Sequence, residues 1–283
     1  MSNPGPIDIG SPGVADFFDE LPLWSAPFGL MLLERVPMRN GLSILDVGSG
    51  TGFLAIELAQ RCGPESTVIA VDPWQAAVAR LRAKIEYLGI QNLRVLEQDA
   101  ADIELPHSSI DVVVSNLGIN NFDNADAVLA TCFRVLKPDG LVILTTNLVG
   151  HMRELYDVYR RTLVETGLSD RLVALNAHID HRATVESVET RLRRAGFEGV
   201  STVERSFQMR FADGSALLRH YFIRLGFLEE WTKVVPPERV DDTLMALERN
   251  LNQVAARHDE LALTIPMACI EARKPSSGGA ETR

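Results

Sequence analysis

The sequence is poor in cysteine and has no long apolar run. Its three cysteines, Cys62, Cys132 and Cys269, are widely separated within apolar segments. No two of them stand at a metal-ligand spacing, so we expect small buried side chains in a reducing, cytoplasmic setting and no metal site. No apolar run approaches the roughly 18 residues that a spanning helix needs. Residues 1–13 also lack the basic and apolar regions of a signal peptide.

Basic residues are outnumbered as well. The chain has 28 Lys and Arg residues against 38 Asp and Glu residues, which gives a formal net charge of −10. Binding to a phosphate backbone requires a basic footprint, so we expect no nucleic-acid partner. Arg191–Arg194 forms a local basic stretch. Its helical pattern also carries Glu186 and Glu189, which indicates a solvated helix face.

Short apolar strands alternate with helical patterns along most of the chain. This alternation predicts an α/β fold with a doubly wound, mostly parallel sheet covered by helices on both faces. The predicted strands are 43–47, 67–71, 93–96, 111–115, 141–145, 200–205 (with Phe211 as the outer limit) and 261–272. The predicted helices are 14–36 with interruptions at Pro22 and Pro27, 53–61, 75–88, 125–136, 152–165 and 185–195, with two or three more between 215 and 257. Lys137–Gly140 is predicted to break a helix and turn the chain, and 177–182 is predicted as a polar segment.

A glycine-rich turn follows the first predicted strand, in the sequence Asp46-Val47-Gly48-Ser49-Gly50-Thr51-Gly52. Glycines allow a tight turn and a close approach of a ligand to the backbone, and the following helix offers free N–H groups to an anion. The third glycine comes one residue earlier than in a dinucleotide-binding fingerprint.

Further polar residues follow the next two strands. Asp72, twenty positions beyond Gly52, is placed to accept from both hydroxyls of a ribose, and Trp74 offers an aromatic face to an adenosine. Asp99-Ala100 follows the third strand, where a carboxylate can accept from an adenine amino group. These residues come just after strand ends, where ligands bind in open α/β sheets.

At these positions the chain resembles the class I S-adenosylmethionine (SAM)-dependent methyltransferases, particularly their ubiquinone/menaquinone-type small-molecule branch. The resemblance implies a seven-stranded sheet with SAM as the cofactor. It implies that the methionine end of SAM is held by Asp46, Gly48, Ser49, Gly50 and Gly52. The ribose side would be held by Asp72, Pro73 and Trp74, and the adenine by Asp99 and Ala100. The residues beside the methyl group would be Ser115, Asn116 and Leu117. The matching blocks are Leu45–Ala59, Val68–Trp74, Glu97–Ala100, Asp111–Phe122 and Arg134–Thr146.

A domain division follows from this resemblance. We expect disordered tails at 1–13 and 275–283, N-terminal lid helices at 14–40, a SAM-binding core at 41–211 that includes part of a roof at 151–182, a helical insertion at 212–258 and the last core strand at 259–274. The insertion replaces the short hairpin that usually joins the last two strands of this family. We expect it to cover the acceptor site together with 152–182 and the N-terminal segment.

The residues that face the methyl acceptor are harder to assign. Methyl transfer from a sulfonium mainly requires alignment and exclusion of water, so no conspicuous catalytic residue is needed. The segment after the fourth strand has Asn116 but no Asn-Pro-Pro-Tyr motif, which disfavours nucleobase N-methylation. Weak candidates for a catalytic group are Asn120, which is also suited to a turn, and the pair His178 and His181, which is also suited to a helix surface. Asn121 and Tyr221 are candidates for contact with the acceptor.

Two apolar segments leave several roles open. In the N-terminal block, Trp24 and Phe28 are candidates for a lid or pocket, with anchoring to the core as an equal alternative. The broad apolar face of 212–258 suits an apolar acceptor pocket, a homodimer interface or packing on the core.

We therefore expect a SAM-dependent methyltransferase that acts on oxygen, carbon or nitrogen of a small, partly apolar organic molecule. The alternatives are a catalytically silent SAM-binding regulator or partner subunit and, on the same fold, an NAD(P)-dependent oxidoreductase. The glycine spacing and the lack of a Tyr-x-x-x-Lys pair argue against the oxidoreductase.

Overall fold

The computed structural model describes residues 5–10, 13–19 and 23–276. The described elements are, in chain order, α1 (Val14–Phe18), α2 (Ala26–Leu33), β1 (Ser43–Val47), α3 (Phe53–Arg61), β2 (Thr67–Val71), α4 (Gln75–Leu88), β3 (Leu93–Leu96), β4 (Ile110–Asn116), α5 (Ala125–Val135), β5 (Leu136–Asn147), α6 (Arg153–Glu165), α7 (Leu172–Asp180), α8 (Val185–Arg194), β6 (Glu198–Phe211), α9 (Gly214–Arg219), α10 (Tyr221–Gly226), α11 (Leu228–Thr232), α12 (Val240–His258) and β7 (Leu261–Arg273).

One seven-stranded sheet organises these elements, in the order β3-β2-β1-β4-β5-β7-β6. Strands β1 to β5 pair in parallel. Strand β7 is antiparallel to β5, because Asp139 N–H donates to the Lys274 carbonyl near the start of β5 and Leu148 N–H donates to the Pro266 carbonyl beyond its end. The α/β fold predicted from the alternating pattern is therefore confirmed.

The strand order reverses between β1 and β4, and this reversal positions the candidate site. Successive strands run outward from β1 through β2 to β3 on one side, and from β4 to β5 on the other. The loops that leave the carboxyl ends of β1 and β4 consequently diverge and leave a crevice, which is where open α/β sheets bind ligands. Strand β1 is buried from Ile44 to Val47 and β4 from Val112 to Ser115, with Asp46 paired against Val114.

The chain forms two compact units. The sheet unit comprises residues 15–146, 183–204 and 267–283, and it contains the glycine turn. The helical unit comprises residues 1–14, 147–182 and 205–266, and it contains α6, α7 and α9–α12. It gathers the two stretches predicted from the sequence as roof and insertion, whose covering role stays a prediction.

Most predicted elements agree with the structure within two residues, and three do not. Pro27 lies in the first turn of α2 and does not interrupt it, as expected for a residue that needs no N–H there. Lys137–Gly140 is not a turn but the irregular start of β5. The segment 177–182 is mostly helical, because α7 continues to Asp180.

The predicted tails fall largely outside the described residues, which exclude 1–4, 11–12 and 277–283 together with 20–22 and the predicted interruption at Pro22. In the described part of the first tail, Ile7 N–H donates to the Arg224 carbonyl over 3.0 Å. Arg224 Nε donates in turn to the Gly5 carbonyl over 2.8 Å. The three cysteines are buried, as predicted.

Candidate active site

The glycine turn joins β1 to α3, and its glycines have different structural roles. Gly50 and Gly52 both have positive φ, 52° and 89°. A Cβ on Gly52 would lie 2.1 Å from Cδ1 of Leu81, so this glycine lets α3 pack against α4. A Cβ on Gly50 would meet nothing within 4 Å. Gly50 therefore presents open backbone, as a site needs where a ligand lies against the main chain.

Asp46, at the end of β1, is a buried carboxylate with an unsatisfied oxygen. Its exposure is 1%, and its Oδ2 has no hydrogen-bond partner among the described residues. Burial and the nearby negative charge of Asp72 raise its pKa to about 8, although the Ala55 N–H donates to it. Ser49 Oγ is likewise buried without a partner. These two groups suit a ligand with a cation or hydrogen-bond donors, since a buried unpaired carboxylate is otherwise costly.

Asp72 connects the ends of β1 and β2. One of its oxygens accepts from the Gly50 N–H over 2.7 Å, and the other accepts from the Trp74 N–H over 2.9 Å. Burial raises its pKa in spite of these two bonds. A carboxylate has about four acceptor positions, so both oxygens retain capacity for hydroxyl donors.

The Trp74 ring lies beside the N-terminal segment. It is half-buried at the start of α4, next to the exposed Pro73. The Phe18 ring meets it edge-on, with centroids 5.7 Å apart and planes at 88°. The sequence did not predict this partner, because Phe18 lies 56 positions earlier and has no local signal that connects it to Trp74.

Asp99 and Ala100 follow β3, as predicted. Asp99 is exposed and accepts from the Ala101 N–H over 2.8 Å, so it caps the short 3₁₀ helix Ala100–Asp102. Ala100 is buried. The cap uses one carboxylate oxygen and leaves the other for an external donor.

The end of β4 is held by Thr145 of β5. Thr145 Oγ1 donates to Asn116 Oδ1 over 2.7 Å and accepts from the Leu117 N–H over 3.1 Å. Leu117 has a φ of 66°, an unfavourable value for a residue with a branched side chain. Asn116 also donates to the Ser25 carbonyl over 3.1 Å, and Ser115 Oγ donates to the Val47 carbonyl over 2.7 Å. Thr145 was not predicted as a site residue, since nothing in its own strand pattern distinguishes it.

Asn120 and Asn121 are exposed just beyond β4. Asn120 Oδ1 accepts from the buried Thr146 Oγ1 over 2.5 Å, and Asn121 ends the 3₁₀ helix Gly118–Asn120. The position of Asn120 within this 3₁₀ helix fits the turn role that the sequence allowed for it.

In the N-terminal segment, Phe28 is fully buried and Trp24 is half-buried, with their ring centroids 5.7 Å apart. A Cβ on Gly29 would lie 2.5 Å from the Phe53 ring, so α2 packs closely on the start of α3. The burial of Phe28 favours the anchoring role over the pocket role.

The remaining candidates, His178, His181 and Tyr221, belong to the helical unit and are described by themselves. His178 Nε2 lies 3.1 Å from the hydroxyl of Tyr156, which accepts from Trp231 Nε1 over 3.2 Å. Burial, followed by the nearby charges of Arg182 and His181, lowers the His178 pKa to about 4. His178 is therefore neutral at pH 7, but too weakly basic to remove a proton efficiently.

His181 is exposed, with its ring nitrogen 2.6 Å from the His178 carbonyl, and Tyr221 is half-buried at the start of α10. Over the part of the chain that the structure describes, no group of three or more His, Cys, Asp or Glu side chains is arranged to hold a metal ion. Nor does any helix within that part have the length and apolarity to cross a membrane.

Comparison with known proteins connects this geometry to an activity. A methyltransferase domain family matches residues 44–140. Nocamycin O-methyltransferase of Saccharothrix syringae is 28% identical over 264 residues, which cover 89% of this chain and 92% of that protein. A ubiquinone/menaquinone biosynthesis C-methyltransferase of Idiomarina loihiensis is 28% identical over 173 residues, which cover 58% of this chain and 69% of that protein.

A solved structure supports the fold independently. The structure of a putative methyltransferase from Bacillus halodurans aligns with a TM-score of 0.57 and 19% identity, over 88% of this chain and 99% of that one. At this identity the likeness shows the fold alone. Together, the fold, the glycine turn and the matched methyltransferase domain support a class I SAM-dependent methyltransferase.

Proposed function

We propose that SAM binds at the carboxyl ends of β1 to β4, where the site residues converge. The observation that carries this placement is the pairing of two unsatisfied buried acceptors, on Asp46 and Ser49, with the open backbone face of Gly50. The ammonium group of a methionine moiety would satisfy the Asp46 carboxylate. Asp72 retains acceptor capacity for ribose hydroxyls, and Asp99 for an adenine amino group.

We further propose that the acceptor atom is the oxygen of an acidic hydroxyl group, such as a phenol or an enol, on a small organic molecule. Support comes from the extent of the relationship to the Saccharothrix O-methyltransferase, which covers 89% of this chain and so extends beyond the matched domain into the helical unit. The relationship to the Idiomarina C-methyltransferase covers 58% of the chain.

The proposed methyl transfer does not require a strong general base from the chain. When bound, SAM supplies a methyl group on a sulfonium: the acceptor oxygen's electron pair forms the C–O bond as the C–S bond breaks, which leaves S-adenosylhomocysteine and a proton for the solvent. An acidic hydroxyl loses its proton readily near neutral pH, so a strong base is not required. This agrees with the low pKa of His178. The chain's contribution is then alignment and exclusion of water.

The test is transfer of labelled methyl from SAM to matched acceptors. Phenols, enols, carboxylic acids, amines and reduced quinones of similar size are compared, and each product is assigned as an O-, N- or C-methyl compound by NMR. The expected result is O-methylation of the acidic hydroxyl compounds, with a much weaker signal from the Asp46→Asn variant. Methylation exclusively at ring carbon would favour the second candidate, a quinone-type C-methyltransferase. SAM binding without transfer to any class would favour a regulator.

We propose three further properties: no binding to nucleic acid, a cytoplasmic location and an insertion that packs within one chain. The net charge of −10 supports a chain that does not bind nucleic acid. Three buried cysteines support a reducing, cytoplasmic location. Of the three roles considered for 212–258, burial of its large apolar side chains supports packing within one chain.

A further inference from the structure

Asp19, directly after α1, is the centre of a polar cluster in the sheet unit. Its side chain is 14% exposed, accepts from Arg80 Nε over 2.6 Å and lies 2.8 Å from Lys84 Nζ. The Thr51 hydroxyl donates to the same carboxylate. Three polar side chains therefore contact the Asp19 carboxylate, to which the family resemblance assigned no role.

The partners of Asp19 lie on both sides of the proposed cofactor site. Thr51 belongs to the glycine turn, which we place at the methionine end of SAM. Arg80 and Lys84 lie on α4, the helix that begins directly after Trp74 on the ribose side. One residue earlier in the N-terminal segment, the Phe18 ring packs on the Trp74 ring.

We infer that Asp19 is a positioning residue that holds the N-terminal segment against both sides of the SAM site and thereby slows the release of SAM and S-adenosylhomocysteine. The inference rests on the SAM placement proposed above, but not on the identity of the acceptor. An attachment at one side alone would leave the other side free to open. A single carboxylate shared by the turn and by α4 couples the two.

The electrostatics of the cluster support a persistent attachment. Burial by itself would raise the pKa of Asp19, but the hydrogen bonds from Lys84, Thr51 and Arg80 outweigh it, and the pKa lies below its ordinary value. Asp19 therefore stays charged throughout the neutral range. Replacing it would leave Arg80 and Lys84 facing each other without their shared counter-charge, which favours separation of the segment from α4.

The experiment measures dissociation of S-adenosylhomocysteine from the full chain by stopped-flow displacement. Asp19→Asn is compared with Asp16→Asn, a matched control in the same segment, since Asp16 is 65% exposed and approaches Arg80 only to 3.6 Å. We expect the dissociation rate of Asp19→Asn to rise about tenfold, because the competent, closed state is less populated. The KM for SAM should rise with it, while the KM for the acceptor stays within a factor of about two and Asp16→Asn behaves as wild type.

A second variant, Lys84→Met, keeps the test decisive if Asp19→Asn folds poorly. For Lys84→Met we expect a smaller rise in the dissociation rate than for Asp19→Asn. The double variant Asp19→Asn with Lys84→Met should release S-adenosylhomocysteine no faster than Asp19→Asn alone, because the two residues act through one contact. A lower melting temperature with an unchanged dissociation rate would show that Asp19 only anchors the segment and would overturn the inference. Failure of the wild type to bind SAM would instead overturn the SAM placement, which makes the two failures distinguishable.

Discussion

At the scale of single residues, two glycines of the turn have different roles: Gly50 is proposed to contact the ligand, and Gly52 is needed for packing. Gly50 and Gly52 share a positive φ, so an alanine costs about 1–2 kcal/mol of strain at either position. Only at Gly52 would the added methyl overlap Leu81. A pair of alanine substitutions two positions apart can therefore test whether Gly50 is reserved for a ligand.

We expect Gly52→Ala to lower the free energy of unfolding by about 3 kcal/mol or more, because strain and overpacking add. Gly50→Ala should lower it by about 1 kcal/mol yet weaken SAM binding at least tenfold, because its methyl fills the open face. Urea unfolding and calorimetric titration with SAM measure the two quantities. Equal SAM affinity in Gly50→Ala and wild type would contradict the proposed placement.

Asp46 predicts a pH dependence whose sign follows from its raised pKa. Because the folded protein holds this proton up to a pH of about 8, the favourable contribution to folding is present at acid pH and is lost as the pH rises toward 8. Without ligand, Asp46→Asn should therefore melt higher than wild type at pH 8.5, by about 3 °C for each kcal/mol recovered, and close to wild type at pH 4.

Asp46 should also make SAM affinity depend on pH. The affinity should rise with pH, whereas the contribution of Asp46 to folding falls. Binding of an ammonium group requires the charged carboxylate, so affinity should rise from pH 6 to pH 8, by at most about tenfold per unit, and be low and flat in Asp46→Asn. Scanning calorimetry and isothermal titration measure the two effects. The exposed Asp102→Asn is the control, and an Asp46→Asn profile that follows the wild type in both would refute the assignment.

At the scale of elements, sequence patterns located the strands of the parallel sheet but not their irregular ends. Strands β1, β2 and β3 match the predicted limits, because each is a short apolar run bounded by turn residues. At Lys137–Gly140 the local turn signal is overridden by pairing with the far end of the chain: Asp139 N–H donates to Lys274, and Lys274 N–H donates to Gly140. A local pattern carries no information about such a partner.

The polar stretch within α7 shows a second reason for failure. The polar residues of 177–182 predicted a polar segment, yet α7 continues to Asp180, with Leu175 buried and His178 against Tyr156. For the candidate site, the residues after β1 to β4 could be listed from the sequence, because parallel strands bring their carboxyl ends together. The contacts of Asp19 and Thr145 could not, since they join segments 28 to 65 positions apart.

The pairing of β4 with β5 gives a prediction at this scale. Thr145 is fully buried, and both its hydroxyl and its backbone carbonyl accept from the Leu117 N–H, which holds Leu117 in its unfavourable conformation. Thr145→Val should lower the free energy of unfolding by about 1 kcal/mol, because Asn116 Oδ1 loses its partner while the Leu117 N–H keeps the Thr145 backbone carbonyl, 3.2 Å away. Thr145→Ser keeps the hydroxyl and should lose about half as much. Urea denaturation compares them, and equal losses would show that the methyl group matters more than the hydrogen bonds.

At the scale of the whole molecule, the question is whether the apolar face of 212–258 is available as a dimer interface. Its large apolar side chains are buried within the single chain, and they include Leu217, Leu218, Phe222, Phe227, Leu228 and Trp231. Within 212–258, all of which the structure describes, Met245 is the one large apolar residue with high exposure, at 47%. A stable dimer needs about 800 Å² of buried surface from each partner, with a well-packed centre.

The insertion therefore predicts a monomer, and not the homodimer that its sequence pattern also allowed. Size-exclusion chromatography with light scattering at about 10 μM, a concentration at which a specific interface of standard size is occupied, should give the mass of one chain. Met245→Lys is the informative companion, because it places a charge at the most exposed apolar point of the insertion and leaves the buried face intact. A dimer in the wild type that dissociates in Met245→Lys would contradict the prediction and return the insertion to an interface role. A dimer unaffected by the substitution would also contradict the predicted monomer, but it would place the contact outside 212–258 and leave that face as internal packing.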